Sequence, residues 1–157
     1  MKIKEYLRRA YRLNEKIDSE LRELEQTNSI LYNISASYDG DRVQTSMTAD
    51  KIPNAIARLV ELKDLIDREV DAFVDLKVEI RELIEKLTNP DELLIMRMRY
   101  IEFLSWNDIR EKLGYGDSED EREKMFKIHG RALKKLNDIK FGVGNQENKV
   151  VNGSKKQ

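Results

Sequence analysis

The last third of the chain carries a cluster of basic residues whose side chains suit contacts to nucleic acid. Between Arg122 and Lys140 there are seven Lys or Arg residues and only two acidic ones. Guanidinium and ammonium groups donate hydrogen bonds to guanine O6 and N7 in the major groove and to phosphate oxygens. The candidate DNA-binding residues are Arg122, Glu123, Lys124, Lys127, Arg131, Lys134 and Lys135.

The apolar residues between Met125 and Leu136 assign two roles to these candidates. They recur at helical spacing, which predicts a helix with one face in a core. The first four candidates are then exposed near the N-terminal end of the helix, the end that a recognition helix presents to base edges. We expect the three basic residues among them to contact the groove. The last three candidates lie farther along and are expected to contact phosphate, which positions a protein without reading sequence.

Helix start and stop signals place this basic helix third in a group of three. An N-cap asparagine, a first-turn proline and a glutamate for a capping box occur in order at 89–92. Ser105 and Asp108 repeat the capping-box pattern, and Gly114 is placed to end that helix in the left-handed conformation. Ser118 then caps the last helix, which we expect to run to about residue 139.

Trp106 and His129 each have two possible roles. Trp106 can stack on a base, but it stands beside a capping serine and near Ile109, so a place at the core or its edge is expected. His129 is the sole histidine and is expected to be a surface or partly packed residue, because a metal site needs several converging ligands. The sequence shows no phosphate loop, metalloprotease motif or nucleophile elbow, so we predict no enzyme, catalytic residue, metal or cofactor.

Composition excludes further classes. Charged residues make up 38% of the 157 residues and aromatic ones 7%, a bias typical of long helices with solvated faces. The net charge of −1 gives the whole molecule no strong field, so any affinity for nucleic acid must be local. The absence of cysteine excludes disulfides and thiol chemistry. No signal peptide or membrane span is predicted, so a cytoplasmic location is expected, in the bacterial host if the protein is phage-encoded.

The first thirty residues follow a heptad pattern. A helix that keeps this spacing over four heptads is expected to supercoil with a partner. Asn14 and Asn28 occupy seam positions, where we hypothesise that a buried amide disfavours slipped registers and wrong partners. The two series of heptad positions are Ile3, Ala10, Ile17, Leu24 and Leu31, and Leu7, Asn14, Leu21 and Asn28.

A second heptad run, from about residue 50 to 87, predicts another long helix. The sequence therefore indicates an all-α fold: a long helical hairpin, or coiled coil, over residues 1–87 with a loop at 33–50, followed by a C-terminal helix-turn-helix domain over residues 88–140. The sequence leaves open whether this hairpin closes within one chain or is shared between two. Because of the heptad pattern, a homo-oligomer through the long helices is expected. Residues 141–157 have few core-forming side chains and are expected to be a disordered tail.

The C-terminal third resembles the fourth region of bacterial sigma factors. This resemblance implies a helix-turn-helix that binds double-stranded DNA, with RNA polymerase as a further partner. The long helical N-terminal half and the phrase GDRVQTSMTADKI resemble small phage and prophage proteins related to ArpU-type transcriptional regulators. The matching residues of the sigma pattern are Arg99-Tyr100, Leu104-Ser105-Trp106, Ile109, Leu113-Gly114 and the run from Arg131 to Leu136.

The chain departs from the sigma pattern in two places. Lys127 stands where the family usually has glutamine, and about five extra residues, Gly116 to Asp120, precede the basic helix. Three of the five are acidic; they favour the helix dipole but repel phosphate, which also suits contact with RNA polymerase. Two alternatives to a transcriptional regulator remain, namely a DNA-packaging adaptor resembling a small terminase subunit and a coiled-coil scaffold that binds RNA polymerase or another protein.

Overall fold

A computed structural model describes residues 2–37 and 51–142, which form five α-helices and no strand. The expected all-α class is confirmed. The first helix continues five residues past its expected end, while the rest of the expected loop, 38–50, and residues 143–157 of the expected tail lie outside the described residues. The helices are α1 (Lys2–Ser37), α2 (Lys51–Ile84), α3 (Pro90–Tyr100), α4 (Trp106–Lys112) and α5 (Glu119–Phe141).

The chain divides into two compact units, and both long helices contribute to both of them. One, here called the hairpin unit, is Arg12–Asp75; the other, the C-terminal unit, joins the first eleven residues to those from Leu76 onward. In the hairpin unit α1 and α2 run antiparallel, since Arg58 donates to Glu23 at 2.6 Å and an ion pair joins Lys16 to Glu69. The predicted domain boundaries at residues 87 and 140 stay a prediction.

The α2-facing stripe of α1 drifts from the heptad positions within the hairpin unit. Ile17 is buried as expected, but Leu21 is 44% exposed and the next buried residue is Glu20, which lies 3.6 Å from Lys16. Asn14 is half-buried, whereas Asn28 is exposed within this unit. Glu20 precedes Leu21 by about 100° of helix rotation, so the buried face of α1 moves away from the heptad series that contains Leu21.

In the C-terminal unit, α3, α4 and α5 pack around a common core. Ile95, Ile109, Met125 and Ile128 are its buried centre, so each of the three helices contributes an apolar residue. The expected starts are confirmed: Asn89, Ser105 and Ser118 each accept a hydrogen bond from a backbone N–H in the first turn. These caps satisfy donors that have no partner inside the helix. We refer to α3, α4 and α5 together as the three-helix group.

The connections between the three helices depend on two residues with positive φ. Gly114 has φ +70°, so the expected left-handed end of α4 is confirmed. Phe103, between α3 and α4, has φ 58°, which costs a non-glycine residue about 1 to 2 kcal/mol. Its ring lies 5.7 Å from that of Tyr11 and 5.3 Å from Lys77 Nζ. Packing against distant parts of the chain therefore holds a conformation that local preference disfavours.

Gly130 stands in the middle of α5 although nothing in the described structure requires a glycine there. A Cβ at this position meets no atom within 4 Å, whereas Gly114 needs its positive φ. Gly130→Ala is therefore expected to raise the free energy of unfolding by about 1 kcal/mol, because alanine costs less backbone entropy in a helix. Urea unfolding of the full chain measures the change. The matched variant Gly114→Ala is expected to lower stability, and an equal gain from both would contradict the argument.

Candidate nucleic-acid interface

The outer surface of α5 is the candidate interface. Met125, Ile128 and Leu136 anchor the opposite side of the helix in the core, so the position of α5 is set by packing against α3 and α4. As expected, the candidates near the start of α5 are exposed, and those farther along are exposed as well. These exposed candidates are Arg122, Glu123, Lys124, Lys127, Arg131, Lys134 and Lys135.

Two of the basic residues on this surface are free of intramolecular ion pairs. Among the described residues, Lys124 and Lys134 have no carboxylate partner. Lys127 lies 3.0 Å from Glu123 one turn earlier, and both side chains are well exposed. An exposed pair of this kind contributes only a few tenths of a kcal/mol, so a phosphate can displace the glutamate at little cost. These three lysines are therefore the accessible basic residues of the candidate interface.

Arg122, a candidate for groove contact, is engaged by the acidic segment that precedes α5. It donates to Asp117, which also lies 3.6 Å from Arg110. The hydrogen bond and charge of Arg122, with a smaller contribution from Arg110, lower the pKa of Asp117 below its usual value. Asp117 thus pairs with two cations near the N-terminal end of α5, where base contact was expected. The extra residues 116–120 offset positive charge here, as their acidity suggested.

Glu92 pairs with two of the residues that were expected to contact phosphate. Its side chain is only 3% exposed and accepts hydrogen bonds of 2.8 and 3.0 Å from Lys135 Nζ. Arg131 Nε lies 3.8 Å from the same carboxylate. The Asn89 side chain accepts a hydrogen bond from the Glu92 backbone N–H, as in a capping box. The Glu92 carboxylate, however, accepts from Lys135 of α5 and not from the backbone N–H of Asn89. A partner 43 residues away leaves no local signal in sequence.

An aromatic cluster packs beside the basic surface. The Trp106 ring is half-buried and lies edge-to-face with Phe126 at 5.0 Å and with His129 at 4.8 Å. The expected core-edge position of Trp106 is confirmed. Phe126 is 46% exposed on the outer side of α5, a feature that sequence reasoning missed. Its place directly after the buried Met125, off the apolar stripe, is the signal that could have revealed it.

His129 is buried within this cluster and is only 6% exposed. Its Nε2 forms a 3.0 Å hydrogen bond with the Tyr100 hydroxyl, and the two rings stack at 5.9 Å. Burial, with smaller contributions from the charges of Lys4 and Arg99, lowers the pKa of His129 from 6.5 to about 4. The ring is therefore neutral at pH 7 and joins α3 to α5. It is a packed residue, more deeply buried than the expected surface or partly packed position.

Metal-binding groups and membrane-spanning helices are not found in the described ranges. No group of three His, Cys, Asp or Glu residues among residues 2–37 and 51–142 is arranged to hold a metal ion. None of the five described helices combines the length and apolar character needed to cross a bilayer. The exposed cations of α5 are thus the feature of the described structure that points most directly to a ligand.

Fold and surface together define an all-α protein in which the three-helix group presents a basic outer face. The chain belongs to the family described as protein of unknown function (DUF1492), which matches residues 33–137. The match covers α2 and the whole three-helix group except the last residues of α5. Comparison with curated proteins gave no match, and comparison with solved structures gave none either.

Proposed function

We propose that this protein is a DNA-binding, phage-type transcriptional regulator. In this proposal α4 and α5 form a sigma-region-4-like helix-turn-helix, and a coiled-coil oligomer of the long helices presents it. The observation that carries the proposal is the outer face of α5, where seven candidate residues are exposed and six of them are basic. Solubility does not require a nearly neutral protein to concentrate cations on one helix face, whereas contact with phosphate does require such a face.

The proposed docking places the first turns of α5 in the major groove. Lys124 and Lys127 then reach base edges, and each good bidentate contact contributes about 1 to 3 kcal/mol of discrimination. α4 lies across the DNA backbone, as the first helix of such motifs does. Lys134 contacts phosphate. Arg122 joins the groove contacts when a base edge replaces Asp117, an exchange that lowers the net gain from this residue.

RNA polymerase is the second proposed partner. Glu119 and Asp120 are exposed in the first turn of α5, where they repel phosphate and suit a basic protein surface. Phe126 adds an exposed aromatic ring nearby, and aromatic residues are enriched in protein interfaces. This module therefore combines a basic helix for DNA with an acidic and aromatic border for polymerase.

Two other functions are kept as alternatives. A packaging adaptor that resembles a small terminase subunit also joins a helix-turn-helix to an oligomerising hairpin, and it predicts a ring of many subunits. A coiled-coil scaffold predicts that the basic residues of α5 do not matter. Solution mass separates the regulator from the adaptor, and substitution of Arg122, Lys124 and Lys127 separates it from the scaffold.

The test is enrichment of genomic DNA fragments by the full-length protein at moderate salt. We expect enrichment of promoter-proximal sites, and its loss in the triple variant Arg122→Ala, Lys124→Ala, Lys127→Ala. Loss of even two good base contacts predicts at least about thirtyfold weaker binding. The variant is also expected to show a shallower dependence of affinity on salt, because fewer counterions are released.

A matched control removes the same charge from a different surface. Lys2, Arg12 and Arg22 are exposed on α1, and no ion pair engages them within the described residues. Their triple alanine variant is expected to bind DNA as the wild type does. Equal binding by both triple variants would refute the assignment of α5. Enrichment that appears only when RNA polymerase is added would make polymerase the primary partner.

A further inference from the structure

A strip along α2 remains uncovered in the hairpin unit. Ile56, Val60, Val70 and Val74 are 51%, 54%, 39% and 51% exposed. At about 100° per residue they lie to one side of Leu62 and Ile66, the buried α2 residues that form the core of this unit. Large apolar side chains repeated on one side of a helix are typical of a contact surface rather than of a solvated face.

Two charged residues complete this strip. Lys63 and Asp67 lie between the two apolar pairs, are exposed, and have no ion-pair partner among the described residues. We define the α2 strip as Ile56, Val60, Lys63, Asp67, Val70 and Val74. The spacing of these residues is the same when it is read from either end, and Leu65 lies at the midpoint. The apolar residues are outermost and the opposite charges are innermost. Such a pattern is complementary to its own reverse.

We propose that the α2 strip is a two-fold self-association surface, on which a second copy of this chain packs antiparallel. A two-fold interface requires that if one residue contacts another across the axis, the reverse contact is also made. With the axis at Leu65, Ile56 packs against Val74 of the partner subunit and Val60 packs against Val70 of the partner subunit. Lys63 then lies opposite Asp67 of the partner subunit, and the reverse pairs form equally.

The neighbouring side of α1 extends the same surface. Leu21 and Tyr32 are 44% and 76% exposed and lie roughly 80° to 100° from the stripe that faces α2. In an antiparallel pair of helices, this rotation places them on the same side as the α2 strip. Leu21 and Asn28, the last two positions of their heptad series, thus lie on an uncovered face that is available to a second hairpin.

The extent of this face suits a dimer. Ile56 to Val74 span about 27 Å of helix, and the face is two helices wide. This is on the scale of the roughly 800 Å² that each partner buries in a specific interface. Two hairpins joined in this way form a four-helix bundle, in which apolar residues on facing helices share one core. The role of such a dimer in presenting two α5 helices to DNA rests on the proposed function; the dimer itself does not.

Charge reversal tests the pairing. The full-length protein is expected to sediment with twice its chain mass of 18.5 kDa. Lys63→Asp and Asp67→Lys each place like charges across the axis, so each is expected to weaken the dimer at least about tenfold. The double variant restores opposite charges and is expected to recover dimerisation. Arg68→Asp, an equal charge change on another side of α2, is the matched control and is expected to leave the dimer unchanged.

Crosslinking tests the antiparallel orientation, and the absence of native cysteine makes the experiment clean. In the proposed dimer two copies of residue 60 are about 15 Å apart along the helix axis, whereas residue 60 lies opposite residue 70. A short bifunctional maleimide is therefore expected to link subunits of the double variant Val60→Cys, Val70→Cys and not those of Val60→Cys alone. Efficient linkage of the single variant would overturn the antiparallel arrangement.

Other outcomes would also overturn the proposal. These are a monomer at high protein concentration, a ring of many subunits, or a double charge swap that fails to restore the dimer while its helical circular dichroism is intact. DNA binding measured on the same samples keeps the two proposals apart. A dimer that binds no DNA refutes the DNA-binding role alone. A monomer that loses DNA binding when α5 is substituted refutes the dimer, and with it the oligomeric presentation of α5, but leaves the DNA-binding role of α5 standing.

Discussion

Lowering the pH from 7 to 4 is expected to reduce the free energy of unfolding by about 3 kcal/mol through His129 alone. The folded-state pKa of about 4 lies below the ordinary value of 6.5, and each unit of difference corresponds to about 1.36 kcal/mol. The unfolded chain binds the proton first, so stability rises with pH between about 4 and 6.5. The contribution of the neutral ring is complete above 6.5 and is lost as the pH falls toward 4.

Urea unfolding followed by tryptophan fluorescence measures this effect locally. Trp106 is the sole tryptophan, and its ring lies 4.8 Å from that of His129. His129→Gln keeps a neutral group that can hydrogen-bond Tyr100, and we expect it to remove the pH dependence between 4 and 6.5. A pH dependence in this window that survives the substitution would show that another group is responsible.

The two aspartates with lowered pKa values act below this window. The pKa of Asp108 is lowered by hydrogen bonds with Ser105, and that of Asp117 by Arg122. A lowered carboxyl pKa contributes stability that is lost only as the pH falls below the ordinary value of 3.8. Acid unfolding is therefore expected in two stages, the first from His129 and the second from the aspartates.

Glu92→Ala is expected to lower the free energy of unfolding by about 2 kcal/mol, because hydrogen bonds to a charged group contribute about 1.5 to 3 kcal/mol. The variant removes the carboxylate that joins α3 to Lys135 and Arg131 of α5. Both partners are at least half exposed and become hydrated when it is lost, which keeps the cost below that of a fully buried pair. Urea unfolding provides the measurement.

Glu92→Met separates packing from charge. An apolar side chain of similar length fills the buried position, while Lys135 and Arg131 stay and become hydrated. Because Glu92→Met also loses the hydrogen bonds to α5 but leaves no cavity, we expect it to be destabilised less than Glu92→Ala. A loss as large as that of Glu92→Ala would show that the ion pair itself, and not the filled space, stabilises the contact between α3 and α5.

Both Glu92 variants also test the proposed phosphate contacts. They release Arg131 and Lys135, so DNA affinity at low salt is expected to rise and to fall more steeply as salt is added. Each additional phosphate contact steepens the logarithmic salt dependence by about 0.9. An unchanged salt dependence in Glu92→Met would mean that these two residues serve the fold and do not touch phosphate.

Much of the C-terminal unit follows from local sequence. Ser105 and Ser118 cap α4 and α5 as their positions predict, and Gly114 ends α4 with positive φ. A capping side chain reaches only the first turn of its own helix, so its effect can be recognised within a few residues. The position of Trp106 at the core edge follows in the same way, because its neighbour Ile109 lies on the buried face.

Contacts between distant residues were not predictable in this way. Glu92 fits a local capping box in sequence, yet its carboxylate pairs with Lys135, and only the packing of α3 on α5 brings the two together. Glu20 is buried in place of Leu21, and only the packing of α1 on α2 decides which of these neighbouring positions is covered. The positive φ of Phe103 has no local signal either, since aromatic residues disfavour it.

The sequence by itself determined the all-α class, the starts of the three short helices and the exposure of the basic side of α5. These depend on helical periodicity and on caps, which act over one or two turns. The tertiary structure alone decided which of those basic residues are available. Lys124 and Lys134 are free in the described structure, while Lys135 is held by Glu92 and Arg122 by Asp117. The physical reason is that availability depends on neighbouring charge, and packing brings the decisive carboxylate of Glu92 from another helix.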